Sequence, residues 1–353
     1  MTTPSKNPEE FNHLLRTLAD THRALQQQAA RSVDIALVVR NWLFGWHIVE
    51  FEQGNAARAE LYGKQLIPSL AHELSMRNIK GASITNLKQC RQFYLAWQKI
   101  GQTLSDQSFK DKTATLQAHF KLGWSHYVQL INIDNENERR FYEIEAQVNS
   151  WGVRELKRQI DSSLFERLAL SRDKAQIAAL AQQGQIITRV QDIIKNPYVL
   201  EFLDLPESPS YSEHELESAI ISRLEQFLLE LGKGFLFEAR QKRFTFDDDH
   251  FYVDLVFYNR LLKCYVLIDL KRDKLTHQDL GQMQMYVNYF DRFVKTEDEA
   301  PTIGIVLCHR KNDALVELTL PADANIYAAK YQLYLPSKEE LQAQIEASLG
   351  GVE

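Results

Sequence analysis

Two aspartates and a lysine occupy positions that a β-hairpin would bring together. Residues 251–271 read FYVDLVFYNRLLKCYVLIDLK. Two runs rich in β-branched and aromatic residues are separated by Asn259-Arg260, a polar interruption that leads into a short turn. With the turn centred between Leu261 and Leu262, Tyr258 falls opposite Tyr265 and Asp254 opposite Asp269. Directly opposed residues on antiparallel strands have Cβ atoms about 4.5–5.5 Å apart, and like charges there repel. Side-chain alternation puts Lys271 on the face of Asp269. Both acids have apolar neighbours, Tyr-Val-Asp-Leu-Val and Leu-Ile-Asp-Leu-Lys. A buried, unpaired carboxylate either takes up a proton or gains a cation. A hard cation such as Mg²⁺ is commonly held by one or two carboxylates plus water and substrate phosphate. Asp-x-Lys alone is frequent by chance. The opposed register and the apolar setting are what point to phosphate-ester chemistry.

Asp254 followed by Asp269-Leu270-Lys271 resembles the signature of the PD-(D/E)xK nuclease superfamily, and more narrowly the YhcG-type family of two-domain proteins. FLLELGKGFLFEARQ, VDLVFYNRLLKCYVLIDLK, GQMQMYVNYF and PTIGIVLC follow that family's order, as do LGWSHY, ERRFYEIEA and NPYVLEFLDL upstream. The resemblance covers nearly the whole chain and is most specific from Glu217 to Cys308. Asp269 stands where Glu is more usual, one methylene shorter, and Glu238-Ala239 replaces a Gly-containing pair before Arg240-Gln241. The resemblance implies an all-α N-terminal domain of helix-turn-helix, winged-helix-like character. An α/β restriction-endonuclease-like core of order αβββαβ follows, giving an α+β two-domain protein. It also implies a Mg²⁺-dependent endodeoxyribonuclease, with Mn²⁺ as an alternative ion.

On this reading Asp254 and Asp269 hold the metal, and Lys271 lies near the attacking water. A lysine acting as a base there would need a depressed pKa. Glu217, one turn into the first helix of the nuclease half, is the accessory carboxylate, with Glu230 as its competitor. Glu230 falls in the last turn of that helix, where an acid meets the negative end of the dipole. Gln282 and Tyr286 share a helix face at i, i+4. Their Gln-x-x-x-Tyr pattern resembles one that orients DNA in related nucleases, and a polar cap over the sheet is the plainer alternative. His250 and His277 read as surface or turn residues.

These residues need a scaffold of two parts. The first half has apolar residues at helical spacing from Phe11 to Gln53, then over 58–74, 84–100, 124–131, 136–151, 153–169 and 174–195. Ser83 is the expected N-cap of the third of these. Between Leu74 and Ser105 there is no acid, while Arg77, Lys80, Lys88, Arg91 and Lys99 accumulate. A helix entering the major groove would offer Asn86, Lys88, Gln89 and Arg91 to phosphates and base edges, flanked by Arg77 and Lys80. The bland alternative is a solvated face beside a core stripe of Leu87, Phe93, Tyr94 and Trp97. Residues 196–222 lack Lys and Arg and carry Pro206 and Pro209, a linker signal. Ser212 with Glu215 then forms a capping-box pattern for a helix ending at Gly232. The resulting division is 1–175 helical and DNA-binding, 176–212 connecting, and 213–353 nuclease.

The 353 residues suit two domains, and 44% hydrophobic content supplies two cores. A net charge of −6 excludes binding of nucleic acid through overall charge, so contact must use local basic patches. Cys90, Cys264 and Cys308 form no zinc pattern and suit a reduced, cytoplasmic setting. No run approaches the roughly 18 apolar residues of a membrane span. DNA is the expected partner. RNA as substrate, a homo-oligomer, a regulatory partner protein, and a role in defence or in repair and recombination stay open. So does an inactive nuclease-fold regulator, which the intact acid pair and lysine disfavour.

Overall fold

The structure is a computed structural model that describes residues 33–350 except 54–64, 103–107, 171, 173, 196, 207–210, 247 and 322. The first part, 11–32, of the helix expected over 11–53, the start of the one over 58–74 and the centre of the proline-containing linker therefore lie outside the described residues. The chain divides into two compact units, Met1–Leu156 and Lys157–Glu353. The boundary expected from sequence is later, at 175.

The described part of the N-terminal unit is helical, with helices at 33–53, Leu66–Met76, Ile84–Ala96, Gln98–Gln102, Phe109–His119, Trp124–Leu130 and Glu136–Val148. Ser83 caps its helix as expected, its side chain accepting from the Asn86 N–H at 3.2 Å. Leu87, Phe93, Tyr94 and Trp97 are buried, so the predicted stripe is core. The Phe93 ring packs on Trp97, Phe120, Trp124 and Tyr127 at 4.9–5.4 Å between centroids. Residues 77–83 join the Leu66 and Ile84 helices, a longer connection than the roughly three- or four-residue turn of a regular helix-turn-helix.

The C-terminal unit is built on a six-stranded mixed sheet: β1 (Tyr198–Val199), β2 (Phe235–Phe246), β3 (Asp249–Asn259), β4 (Cys264–Lys274), β5 (Ile303–Arg310) and β6 (Ile326–Gln332), in the order β1-β6-β5-β4-β3-β2. β2, β3 and β4 form an antiparallel meander, and β4, β5, β6 and β1 run parallel. The β3–β4 register is the one counted from sequence, with Tyr258 opposite Tyr265. Asn259 builds the turn. Its buried side chain accepts from the N–H groups of Leu261 and Leu262 and donates to the Lys233 carbonyl.

Helices cover both sheet faces. Leu216, Ile220 and Phe227 pack against Leu255, Phe257 and Ile268 on one side. Leu280, Met283, Tyr286 and Val287 of the helix His277–Phe293 pack against Val256, Leu267 and Val306 on the other. That helix lies close because Gly304 has no side chain: a Cβ there would meet Met283 at 2.6 Å.

Besides the helix expected over 84–100, which splits at Trp97, three expected helices are interrupted. The helix expected over 153–169 is two, Val153–Asp161 and Leu164–Ala169, broken where Ser163 takes a left-handed φ of 51°. The one over 174–195 ends at Gln183 and is followed by a short 3-10 turn at Val190–Asp192. The first nuclease helix is also double, Glu213–Ser222 and Leu224–Leu231, broken at Arg223.

The first of these breaks serves a buried ion cluster. Glu230 has no solvent exposure. Its Oε1 accepts from Arg167 Nη1 at 2.6 Å and from the Val199 N–H at 3.0 Å, and Arg158 Nη2 lies 3.3 Å from Oε2. Lys195 Nζ donates to the Glu230 carbonyl. Burial alone would raise the Glu230 pKa, but Arg167, Lys195 and Arg158 outweigh it and bring the carboxyl down to about 2. Residues 157–169 are thereby tied to the rest of the C-terminal unit.

Removing one partner of a buried pair strands the other charge. Glu230→Gln should therefore cost roughly 3–5 kcal/mol in denaturant unfolding. Because the folded pKa is depressed, this contribution is present above pH about 4.5 and is lost as pH falls towards 2. Wild type should show that acid loss and the variant should not; equal acid sensitivity in both would contradict the assignment.

Candidate active site

The acid pair forms where the regular β3–β4 ladder stops. The last paired residues are Leu255 and Ile268, and one step further brings Asp254 to Asp269. Asp254 Oδ2 accepts from the Leu270 N–H at 2.9 Å, which anchors the side chain across the strand. Asp269 is 2% exposed. Burial, then the Asp254 charge, push its carboxyl up to about 7, with Lys271 pulling the other way. Lys271 Nζ lies 3.0 Å from Asp269 Oδ2, an oxygen that has no hydrogen bond of regular geometry.

Lys271 is ringed by acids. Besides Asp269, Glu213 Oε2 stands 3.8 Å and Asp279 Oδ1 3.9 Å from its nitrogen. Both come from helix starts and both serve capping or backbone roles. Glu213 Oε1 accepts from the Arg272 N–H, and Asp279 closes a capping box with Thr276. Burial works against the ammonium, but Asp269, Glu213 and Asp254 outweigh it and hold the pKa above the ordinary lysine value. The depressed pKa that a lysine base requires is not found.

Of the two candidate glutamates, Glu217 is linked to Asp254 through the Gln241 amide and Glu230 is not. Glu217 is 2% exposed, on the helix Glu213–Ser222, whose Ser212–Glu215 capping box forms as expected. Its Oε2 accepts from Gln241 Nε2 at 2.7 Å, and the same nitrogen donates to Asp254 Oδ1 at 3.0 Å. Arg240 Nε lies 3.0 Å from Glu217 Oε1. Gln282 donates to the Tyr286 hydroxyl, which donates to the Tyr252 carbonyl at 2.8 Å. The Gln-Tyr pair thus braces β3 two residues before Asp254. His250 and His277 are exposed.

Gln241, Arg240, Glu213 and Asp279 were not assigned from the sequence. A signal for Gln241 was present. Phe246 pairs with Asp249, and counting back from that pair along the two strands places Gln241 across from Asp254.

A family model for the YhcG PDDEXK nuclease domain matches residues 191–346, and one for the DUF1016 N-terminal domain matches 17–167. The chain is 40% identical over 338 residues to YhcG of Escherichia coli (strain K12), covering 90% of this chain and 89% of that one. The chain belongs to the YhcG family of PDDEXK nucleases. Among solved structures, a repair endonuclease from Pyrococcus abyssi is similar at 18% identity and a TM-score of 0.26, over 35% of this chain and 49% of that one. The structure of an EndoMS–dsDNA complex is similar at 17% and 0.24, over 34% and 46%.

The acid set of this YhcG-family chain suits a hard divalent cation. Two carboxylates meet, and buried oxygens of Asp269 and Glu217 lack regular hydrogen bonds. Among the described residues no three His, Cys, Asp or Glu side chains gather tightly enough to enclose an ion, so waters and substrate oxygens would complete its shell. The three cysteines are buried and unpaired, their thiols raised by burial to about 12, 12 and 11 for Cys90, Cys264 and Cys308. Among the described residues no helix is long and apolar enough to cross a membrane.

In the N-terminal unit, taken by itself, the expected DNA-contacting residues differ in their freedom. Arg77, Lys80 and Lys88 are exposed and Gln89 is half-buried. Arg91 is paired with Glu52 at 2.8 Å. The Asn86 amide is engaged within the unit, donating to the Gly81 carbonyl and accepting from Trp124 Nε1.

A carboxyl whose folded pKa is raised stabilises the fold below its unfolded pKa and loses that contribution as pH climbs through the folded value. In EDTA, thermal stability should therefore fall as pH rises through about 7. Asp269→Asn should flatten this dependence, and Mg²⁺ should restore the melting temperature mainly on the alkaline side. A wild-type profile as flat as that of the variant would refute the buried, repelled acid.

Proposed function

We propose that this YhcG-family chain is a divalent-metal-dependent nuclease that hydrolyses phosphodiester bonds in DNA. The C-terminal unit performs the chemistry and the helical N-terminal unit grips the duplex. The observation that carries the reading is the opposed Asp254–Asp269 pair, Asp269 buried and Asp254 half-buried, with Lys271 against it. Such a pair costs stability and persists because it holds something positive.

Asp254 and Asp269 would hold Mg²⁺ or Mn²⁺. When bound, such an ion polarises the scissile phosphate and lowers the pKa of water. Lys271, kept as an ammonium by its three acidic neighbours, orients the attacking water by hydrogen bonding and offsets charge on the phosphate oxygens in the transition state. It does not take the water's proton. Glu217 adds a third carboxylate beside Asp254. Gln282 and Tyr286 act on the site through β3, by fixing the backbone that carries Asp254. Arg77, Lys80 and Lys88 are the exposed cations through which the N-terminal unit would meet phosphates.

Incubation with supercoiled plasmid, branched DNA and single-stranded RNA, each with Mg²⁺ and with EDTA, tests the substrate class. Metal-dependent cutting of DNA is expected, and its absence from every DNA substrate would end the nuclease reading. Asp254→Asn, Asp269→Asn and Lys271→Ala should each lower the rate at least 100-fold while the protein stays folded by circular dichroism. Full activity in any one of them would remove that residue from the mechanism.

The N-terminal role has its own test. Lys80→Ala with Lys88→Ala should weaken DNA binding in EDTA. The slope of log K against log salt should become shallower by about 0.9 for each phosphate that the protein no longer neutralises. An unchanged slope would make this face a solvated surface.

A further inference from the structure

We propose that Gln241 is a positioning residue of this site, an amide clamp that holds the accessory Glu217 against Asp254 without neutralising either acid. The proposal rests on the nuclease reading above. A single nitrogen makes both contacts: Gln241 Nε2 donates to Glu217 Oε2 at 2.7 Å and to Asp254 Oδ1 at 3.0 Å. Both acceptors are carboxylates, so the amide has only one useful orientation, with its NH₂ group towards them. Three elements meet at this group: β2 supplies the amide, β3 supplies Asp254 and the helix Glu213–Ser222 supplies Glu217.

A second observation is independent of the hydrogen bonds. Gln241 has a φ of +45° inside a strand, the left-handed region that favours glycine and penalises a residue with a Cβ. The regular ladder pairs Arg240 with Leu255 and Lys242 with Val253 and skips the position between them. Strain of this kind persists where the surroundings over-determine it, and it concentrates at functional sites.

Side-chain chemistry narrows the choice further. Glutamate at this position would add another negative charge to an acid pair that already repels. Lysine or arginine would neutralise the acids and compete with a cation for them. Asparagine is a methylene too short to keep both contacts. A neutral side chain with two N–H donors and this reach ties the acids together and leaves their charge available. Glu217 also has Arg240 at 3.0 Å on its other oxygen. Without the clamp, Glu217 is held by that exposed guanidinium and is drawn away from Asp254.

The test compares wild type with Gln241→Gly, Gln241→Asn and Glu217→Ala, alone and combined. Three measurements are made on the full chain: thermal unfolding in EDTA, Mn²⁺ affinity by calorimetry, and kcat and KM on plasmid with Mg²⁺. Glycine suits the positive φ, so Gln241→Gly should melt at or above the wild-type temperature. It should nonetheless bind Mn²⁺ several-fold more weakly and lose at least tenfold in kcat with KM within twofold. Gln241→Asn should show the same functional losses without the gain in stability. In the Glu217→Ala background the glycine change should add little, because the clamp then has only one acid to hold. Wild-type kcat and Mn²⁺ affinity in Gln241→Gly would overturn the proposal. So would full additivity with Glu217→Ala, or a fall in melting temperature that accounts for the whole loss of activity. The unfolding and calorimetry arms need no cleavage, so they judge the clamp even if the wild-type protein proves not to cut DNA.

Discussion

Repulsion between Asp254 and Asp269 is the constraint around which the C-terminal unit is arranged. Two carboxylates cannot be held in contact inside a protein unless neighbours offset their charge or one of them keeps a proton. Each surrounding group supplies part of that offset: the Leu270 N–H and the Gln241 amide on Asp254, and the Lys271 ammonium on Asp269. The offset is incomplete. Counting Glu213, Glu217 and Asp279 with the pair, five carboxylates face two cations, Lys271 and Arg240. A site in this electrostatic state favours any small, hard cation that reaches it, and a phosphate that arrives with one.

Glu230 faces the same problem in the same unit and resolves it the opposite way. Arg167, Arg158 and Lys195 converge on it together with the Val199 N–H, and the group is closed to solvent. The carboxylate itself is fully enclosed by these groups, so its role is to fasten segments together. The contrast gives a physical basis for separating structural from chemical acids. A buried carboxylate whose neighbours balance its charge is architecture, and one whose neighbours leave a deficit is a site.

Lys271 illustrates how the environment changes a residue's chemistry. Asp-x-Lys in a nuclease suggests a base as readily as a charge donor. With acids at 3.0, 3.8 and 3.9 Å the ammonium is the favoured form. The lysine then works as a fixed positive charge and hydrogen-bond donor, the kind of preorganised group that stabilises a transition state without moving a proton.

Much of this was legible in the chain itself. Strand alternation and a short turn were enough to oppose Asp254 and Asp269, to put Lys271 beside them, and to pair Tyr258 with Tyr265. The Ser83 cap and the Ser212–Glu215 box were equally local, because each depends on residues within a few positions of one another. What could not be read was the company each charge keeps. Continuous apolar periodicity hid the breaks at Ser163 and Arg223, since a helix pattern does not reveal that a buried Glu230 will draw Arg158 and Arg167 towards it. Glu217 and Glu230 are thirteen positions apart on what reads as one helix, and only the packing of distant segments sent one to the acid pair and the other to an ion cluster. Alternation and turn length are properties of neighbouring residues, whereas the protonation, pairing and strain of Asp269, Lys271 and Gln241 are set by groups brought from elsewhere in the fold.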